Sequence, residues 1–136
     1  MKKKRKKLDY CWTEKEMDFV QKEIVKAKKD LNLHEWLIEC TYRDGNMPTK
    51  GDTAINAQIK TSPEYLRAYI WFYPTLLKNY RDMGKKYLRD TIRHEVSHIL
   101  TEEIYTMGLD RFTNENELND AREKLTERIA RLIKDV

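Results

Sequence analysis

The sequence predicts a small α+β domain: an N-terminal helix, a small three-stranded, mainly antiparallel sheet, and two closing helices. Three observations carry that prediction. Apolar residues recur at helical spacing near the start and in the last quarter of the chain. Three short segments between them alternate apolar with polar residues. A length of 136 residues suffices for one hydrophobic core but not two.

Thr13 followed by Glu16 reads as a capping box, with Trp12 in the position of a hydrophobic staple. Met17, Val20, Ile24, Ala27 and Leu31 then repeat with helical period, predicting a helix over 14–30. In WLIECTYR (36–43), Trp36, Ile38, Cys40 and Tyr42 alternate with Leu37, Glu39, Thr41 and Arg43, the pattern of a strand. RDGNMPTKGD (43–52), with two glycines and a proline among polar residues, reads as a loop. DTAINAQIKT (52–61) is the second strand, with Ile55, Ala57 and Ile59 on one face. YLRAYIWFY (65–73) is the third, bracketed by Pro63 and Pro74. It turns Leu66, Ala68, Ile70 and Phe72 one way and Tyr65, Arg67, Tyr69, Trp71 and Tyr73 the other. Helical signals return over 84–106, and again from Asn114, which would cap toward Glu117, to the end. The last stripe is Leu118, Ala121, Leu125, Ile129, Leu132 and Ile133.

The net charge of +4 is concentrated at one end. Six of the 27 basic residues lie in KKKRKK (2–7), leaving 21 against 23 acidic residues elsewhere. Residues 1–12 are therefore expected to be a basic, disordered tail and 13–136 a single domain. Cys11 and Cys40 form neither a metal-ligand spacing nor a disulfide framework, which suits a reducing compartment. The basic start lacks the apolar run of a signal peptide, and no stretch is long enough to span a bilayer. A soluble cytoplasmic protein with no membrane partner is the expectation.

Two of the three histidines fall in HEVSH (94–98). Residues four apart on a helix share a face, so His94 and His98 can reach one metal ion. Glu95, about 100° round from His94, is placed to act as a general base without being a ligand. Leu88, Ile92 and Ile99 cluster on the adjacent face, so the histidines border the core. Glu102 shares the ligand face, but three side chains spread along about 12 Å of straight helix cannot converge on one ion. Ile104 breaks the elongated HExxHxxGxxH pattern. A third ligand must come from another element, and the last helix offers Glu115, Glu117, Asp120, Glu123 and Glu127; His34 is more easily read as a loop histidine. Thr91, before His94 on the same face, reads as an ordinary helix residue or as one that orients a ligand.

TAINAQIKTSPEYLRAYIWFYPTLL followed by RHEVSHIL resembles the small metallopeptidase-like proteins of bacteriophages and prophages, which are similar to zincins reduced to a minimal domain. Their pattern is A-x-I/V, then Y-x-x-A-x-I, then an HExxH helix, and their closing helix carries E-x-x-V-x-x-L. REKLTERIARL is the corresponding stretch here, with Glu123, Thr126 and Ile129 at the three positions and Thr in place of Val. The resemblance covers roughly residues 36–133. It implies a gluzincin-type site with His94, His98 and Glu123 on Zn2+ and a water in the fourth position. Glu95 would take that water's proton during attack on a peptide carbonyl and pass it to the leaving amine. Glu123 lies about 40° nearer the apolar stripe than Glu127, but Glu127 stays open as the alternative ligand. Tyr105 and Tyr69 are candidates for an oxyanion donor, and an extended peptide or protein substrate could add to the strand edge beside the metal helix. If phage-encoded, the protein would work in the cytoplasm of a bacterial host.

A rival reading is a non-catalytic, zinc-containing phage binding protein. Its KKKRKK tail would contact nucleic acid, non-specifically and with strong salt dependence, or a host partner. No basic face interleaved with aromatics and no zinc-finger spacing points to sequence readout. Neither the substrate nor the oligomeric state is written in the sequence.

Overall fold

The computed structural model describes residues 8–46, 55–109 and 115–132. Its elements run α1 (Glu14–Asp30), β1 (Leu37–Tyr42), β2 (Ala57–Ser62), a single 3-10 turn (Pro63–Tyr65), β3 (Arg67–Phe72), α2 (Pro74–Met83), α3 (Lys85–Leu109) and α4 (Glu115–Leu132). This is an α+β fold with four helices and a three-stranded mixed sheet among the described residues.

Helix α1 starts at the expected capping box: the Thr13 hydroxyl accepts from the Glu16 amide, and the Glu16 carboxylate accepts from the Thr13 amide. Val20, Ile24 and Ala27 are its buried face. Residues 8–12, assigned by the sequence to the tail, belong to the folded body, whereas 1–7 lie outside the described residues. Tyr10 and Gly45 exchange backbone hydrogen bonds of 2.8 and 2.9 Å, and Trp12 is buried against Tyr42 and Phe72. Gly45 also lets the backbone here pass close to Pro74, because a Cβ at this position would lie 2.9 Å from Cγ of Pro74.

The sheet order is β1-β3-β2. β2 and β3 pair antiparallel, as the tight Pro63–Leu66 connection requires, but β1 and β3 pair parallel. The expectation of a mainly antiparallel sheet is thus corrected. After β1 the chain passes beyond the position of β3, lays down β2 at the edge, and turns back to place β3 in the centre. β3 takes the centre because Ala68, Ile70 and Phe72 are the most completely buried face of any strand.

The sequence reading missed α2. Pro74, taken as the end of a strand, is the first residue of this helix, where a missing amide hydrogen is harmless. Gly84, at φ 96°, separates α2 from α3. Helix α3 touches α1, α2, α4 and β2. Its Leu88, Ile92, Val96 and Ile99 join Phe72, Ile70, Leu76, Leu77, Val20 and Ile24 in one core.

Helix α4 packs on α3 by a face displaced from the expected stripe, of which Ile129 is half-buried. Ala121 is exposed and Leu125 is 37% exposed, whereas Thr126 is fully buried and Ala130 nearly so. The face turned to α3 is therefore centred on Thr126. Asn114 and Ile133 lie outside the described residues, as do the side chains of Leu118 and Leu132. Among the described residues, no helix is long and apolar enough to cross a membrane.

Candidate metal centre

His94, Glu95 and His98 come from the middle of α3, and Glu123 comes from α4 across the helix pair. The two imidazoles stand one helical turn apart, edge to face, with ring centroids 4.9 Å apart. Nε2 of His94 lies 3.3 Å from Oε2 of Glu123, and Nε2 of His98 lies 3.6 Å from Oε1. One donor atom from each of these three residues falls within 4.8 Å of the other two, which makes them a candidate metal site. Tetrahedral donors at about 2.0–2.1 Å from a zinc ion stand about 3.3 Å from one another, close to these separations.

Glu127, the alternative ligand, is turned to the other side of the same ring. Its Oε2 lies 2.7 Å from Nδ1 of His94, which can donate to it, while Oε1 lies 3.4 Å from Nε of Arg131. Glu123 thus faces the inner nitrogens of both histidines, and Glu127 the outer nitrogen of one. Glu102 lies on the outer side of His98, 3.7 Å from Nδ1, and is held by Arg122 at 3.1 Å.

Burial sets the electrostatics. His98 is 7% exposed, and its pKa falls to about 4 because the charged ring would be desolvated, with His94 and Arg122 adding repulsion. It is therefore neutral near pH 7, the form that binds metals. Burial pushes the Glu95 carboxyl up to about 7; His94 opposes the shift and Glu123 reinforces it. Glu95 is not one of the three clustered donors, yet it lines the same cleft.

That cleft encloses about 800 Å³ between α3, α4 and β2. Residues Ala57 to Thr61 of β2 form one wall, with Trp71 beside them, and His94, Glu95, His98 and Glu123 form the other. β2 pairs only with β3, so its outer edge is free among the described residues. A second hollow of about 460 Å³ continues past His94 and Glu95 toward Asn56, Tyr87 and Asp90.

Of the remaining sequence candidates, Thr91 lines the second hollow and the others lie elsewhere. Tyr69 lines neither hollow, and neither does Tyr105, whose ring carries the Arg122 guanidinium at 3.9 Å. Thr91 donates to the Tyr87 carbonyl of its own helix at 3.0 Å. His34 is exposed in the turn after α1. Sequence reasoning passed over Arg122, which lines the cleft, pairs with Glu102 and also bonds Asn119. No local pattern marks it, since its role depends on α3 lying opposite. Comparison of the chain with protein-family models, with curated proteins and with solved structures returns no match.

Proposed function

We propose that this chain is a zinc-dependent metallopeptidase of minimal zincin type, with His94, His98 and Glu123 as ligands and Glu95 as general base. The observation that carries the reading is the convergence of two imidazole nitrogens and one carboxylate beside a second, buried carboxylate that is not needed as a ligand. Among common divalent ions, zinc suits two nitrogens and a carboxylate oxygen; magnesium and calcium call for oxygen donors.

Zinc held there would supply Lewis acidity, making a water nucleophilic near neutral pH and polarising a carbonyl oxygen. Glu95 accepts the proton of the attacking water and delivers it to the amine of the broken peptide bond. Its desolvated carboxyl suits both steps, because a group poised near pH 7 gives and takes protons readily. Arg122, paired with Glu102 on the cleft wall, and Lys60 of β2 are the cations that line the cleft and are available to the oxyanion. The free edge of β2 favours an extended peptide as substrate, since such a chain can add as a further strand alongside the two catalytic hollows.

Metal analysis and cleavage of a peptide library test the proposal together. The purified wild type is expected to hold zinc in a one-to-one ratio, lost in His94→Ala and His98→Ala with the far-ultraviolet circular dichroism unchanged. Glu95→Gln is expected to keep the metal and abolish cleavage. Folded wild type without metal sinks the reading. Metal retention with no effect of Glu95→Gln on biological action points instead to the zinc-clamped binding protein.

A further inference from the structure

Helix α4 presents a hydroxyl to the ring of His98, and no part of the proposed chemistry uses it. We propose that Thr126 is a positioning residue: it fixes which nitrogen of His98 faces the cleft and thereby strengthens metal binding through that ring. This inference rests on the metal-centre reading above.

Thr126 is fully buried. Its Oγ1 lies 2.8 Å from the carbonyl oxygen of Arg122, 2.8 Å from Oγ1 of Thr101 and 3.4 Å from Nδ1 of His98. A hydroxyl offers one hydrogen and two lone pairs. The carbonyl of Arg122 can only accept, and the hydroxyl of Thr101 also lies 3.2 Å from the carbonyl oxygen of His98, to which it can donate. The single hydrogen of Thr126 therefore goes to one of its two partners at 2.8 Å, Arg122 or Thr101, and a lone pair is left to receive the N–H of His98. In this arrangement Nδ1 of His98 carries the ring proton, leaving the lone pair on Nε2, the atom 3.6 Å from Glu123. The opposite tautomer would set a lone pair of Nδ1 against a hydroxyl whose hydrogen is engaged, and would aim an N–H at the place a cation must occupy. Glu102, 3.7 Å from the same Nδ1, acts in the same sense because a carboxylate only accepts.

His94 receives matching treatment from the next residue, Glu127, at its own Nδ1. Thr126 and Glu127 together hold the outer nitrogens of both rings, and Glu123, one turn earlier, faces the inner ones. Outer partners of this kind orient a ligand ring and fix its tautomer. A buried threonine bonded to the carbonyl four residues back can also be a purely local helix feature, and the test must separate the two.

The experiment compares full-length wild type, Thr126→Val, Thr126→Ser and Thr101→Val by two readouts. The first is the ring nitrogen shifts of His98 by NMR in metal-free protein. Wild type, Thr126→Ser and Thr101→Val are expected to show the Nδ1–H tautomer, and Thr126→Val a shift toward Nε2–H. The second is zinc affinity by chelator competition, where Thr126→Val is expected to lose about 10- to 100-fold while Thr126→Ser and Thr101→Val stay within about threefold. Thr101→Val removes the same inter-helix hydroxyl pair, and its own bond to the His98 carbonyl, while leaving the Thr126 contact to the His98 ring, so equal losses in Thr101→Val and Thr126→Val would mean helix packing and overturn the proposal. Unchanged His98 shifts in Thr126→Val would overturn it as well. If wild type binds no zinc, the metal reading fails, and the shifts still decide the role of Thr126.

Discussion

Into the core shared with α1 and the sheet, helix α3 sends Leu88, Ile92, Val96 and Ile99, none more than 4% exposed. Toward α4 and the cleft the same helix sends Glu95, His98 and Thr101, buried nearly as deeply at 8%, 7% and 1%. All the buried polar and charged residues among the described ones lie on α3 or α4. The apolar side gains stability from every square ångström removed from water, with little demand on direction. The polar side gains only where each group meets a partner, and an unpaired buried charge costs more than a methyl group returns. One side of the helix therefore holds the fold, and the other carries the candidate metal donors.

The largest break in this comparison should come from the apolar side. Phe72→Ala, at the centre of the core, is expected to lose about 3–5 kcal/mol in urea unfolding. A loss below that of an ordinary surface substitution would show that the core lies elsewhere.

On the polar side a substitution is expected to raise stability. Burial raises the Glu95 carboxyl to about 7 in the folded protein, from an ordinary value of 4.5. Between those values the metal-free native state binds more protons than the unfolded chain, so its stability falls as pH rises through the window. Glu95→Gln removes that penalty. It should stabilise the metal-free protein at pH 8 by on the order of 2–3 kcal/mol, and make no difference near pH 4. Urea titrations at the two pH values check this, and a destabilised variant at pH 8 would contradict it.

The two glutamates of α4 sharpen the polar side further. Glu123→Ala, removing a donor that faces both inner nitrogens, should weaken zinc binding more than Glu127→Ala, for which a loss of about 10- to 100-fold is expected. The reverse order in a competition assay would exchange their roles. The smallest effect belongs to Leu125, which the sequence places on the packed stripe. With its side chain 37% exposed and off the face centred on Thr126, Leu125→Lys should cost no more than about 1 kcal/mol. A loss of core size would restore the predicted stripe.

Much of the fold was legible locally. The capping box at Thr13, the helix of Val20 and Ile24, and the alternation through Ile70 and Phe72 are short-range signals, and the structure carries each of them. Helix α2 was equally local but misread, because a proline just after a strand pattern reads as its end, whereas Pro74 opens a helix at its first position. The phase of α4 was not legible. Its apolar residues argue for a face centred on Leu125, yet the packed face is centred on Thr126, where polar groups meet α3.

By itself the sequence determined that two histidines and a glutamate share a helix bordering the core, because a spacing of four residues and a helical period of 3.6 leave no other arrangement. It also determined that a third donor had to come from another element. Tertiary structure alone decided which carboxylate clusters with the two rings: Glu123 and Glu127 are both polar residues on one helix, one turn apart, and only the seating of α4 on α3 turns the first to the inner nitrogens and the second to an outer one. The parallel pairing of β1 with β3, and the free edge it leaves on β2 beside the cleft, were decided at the same level. Strand order and helix phase are set by contacts between residues far apart in the chain, and periodicity within a segment carries no record of them.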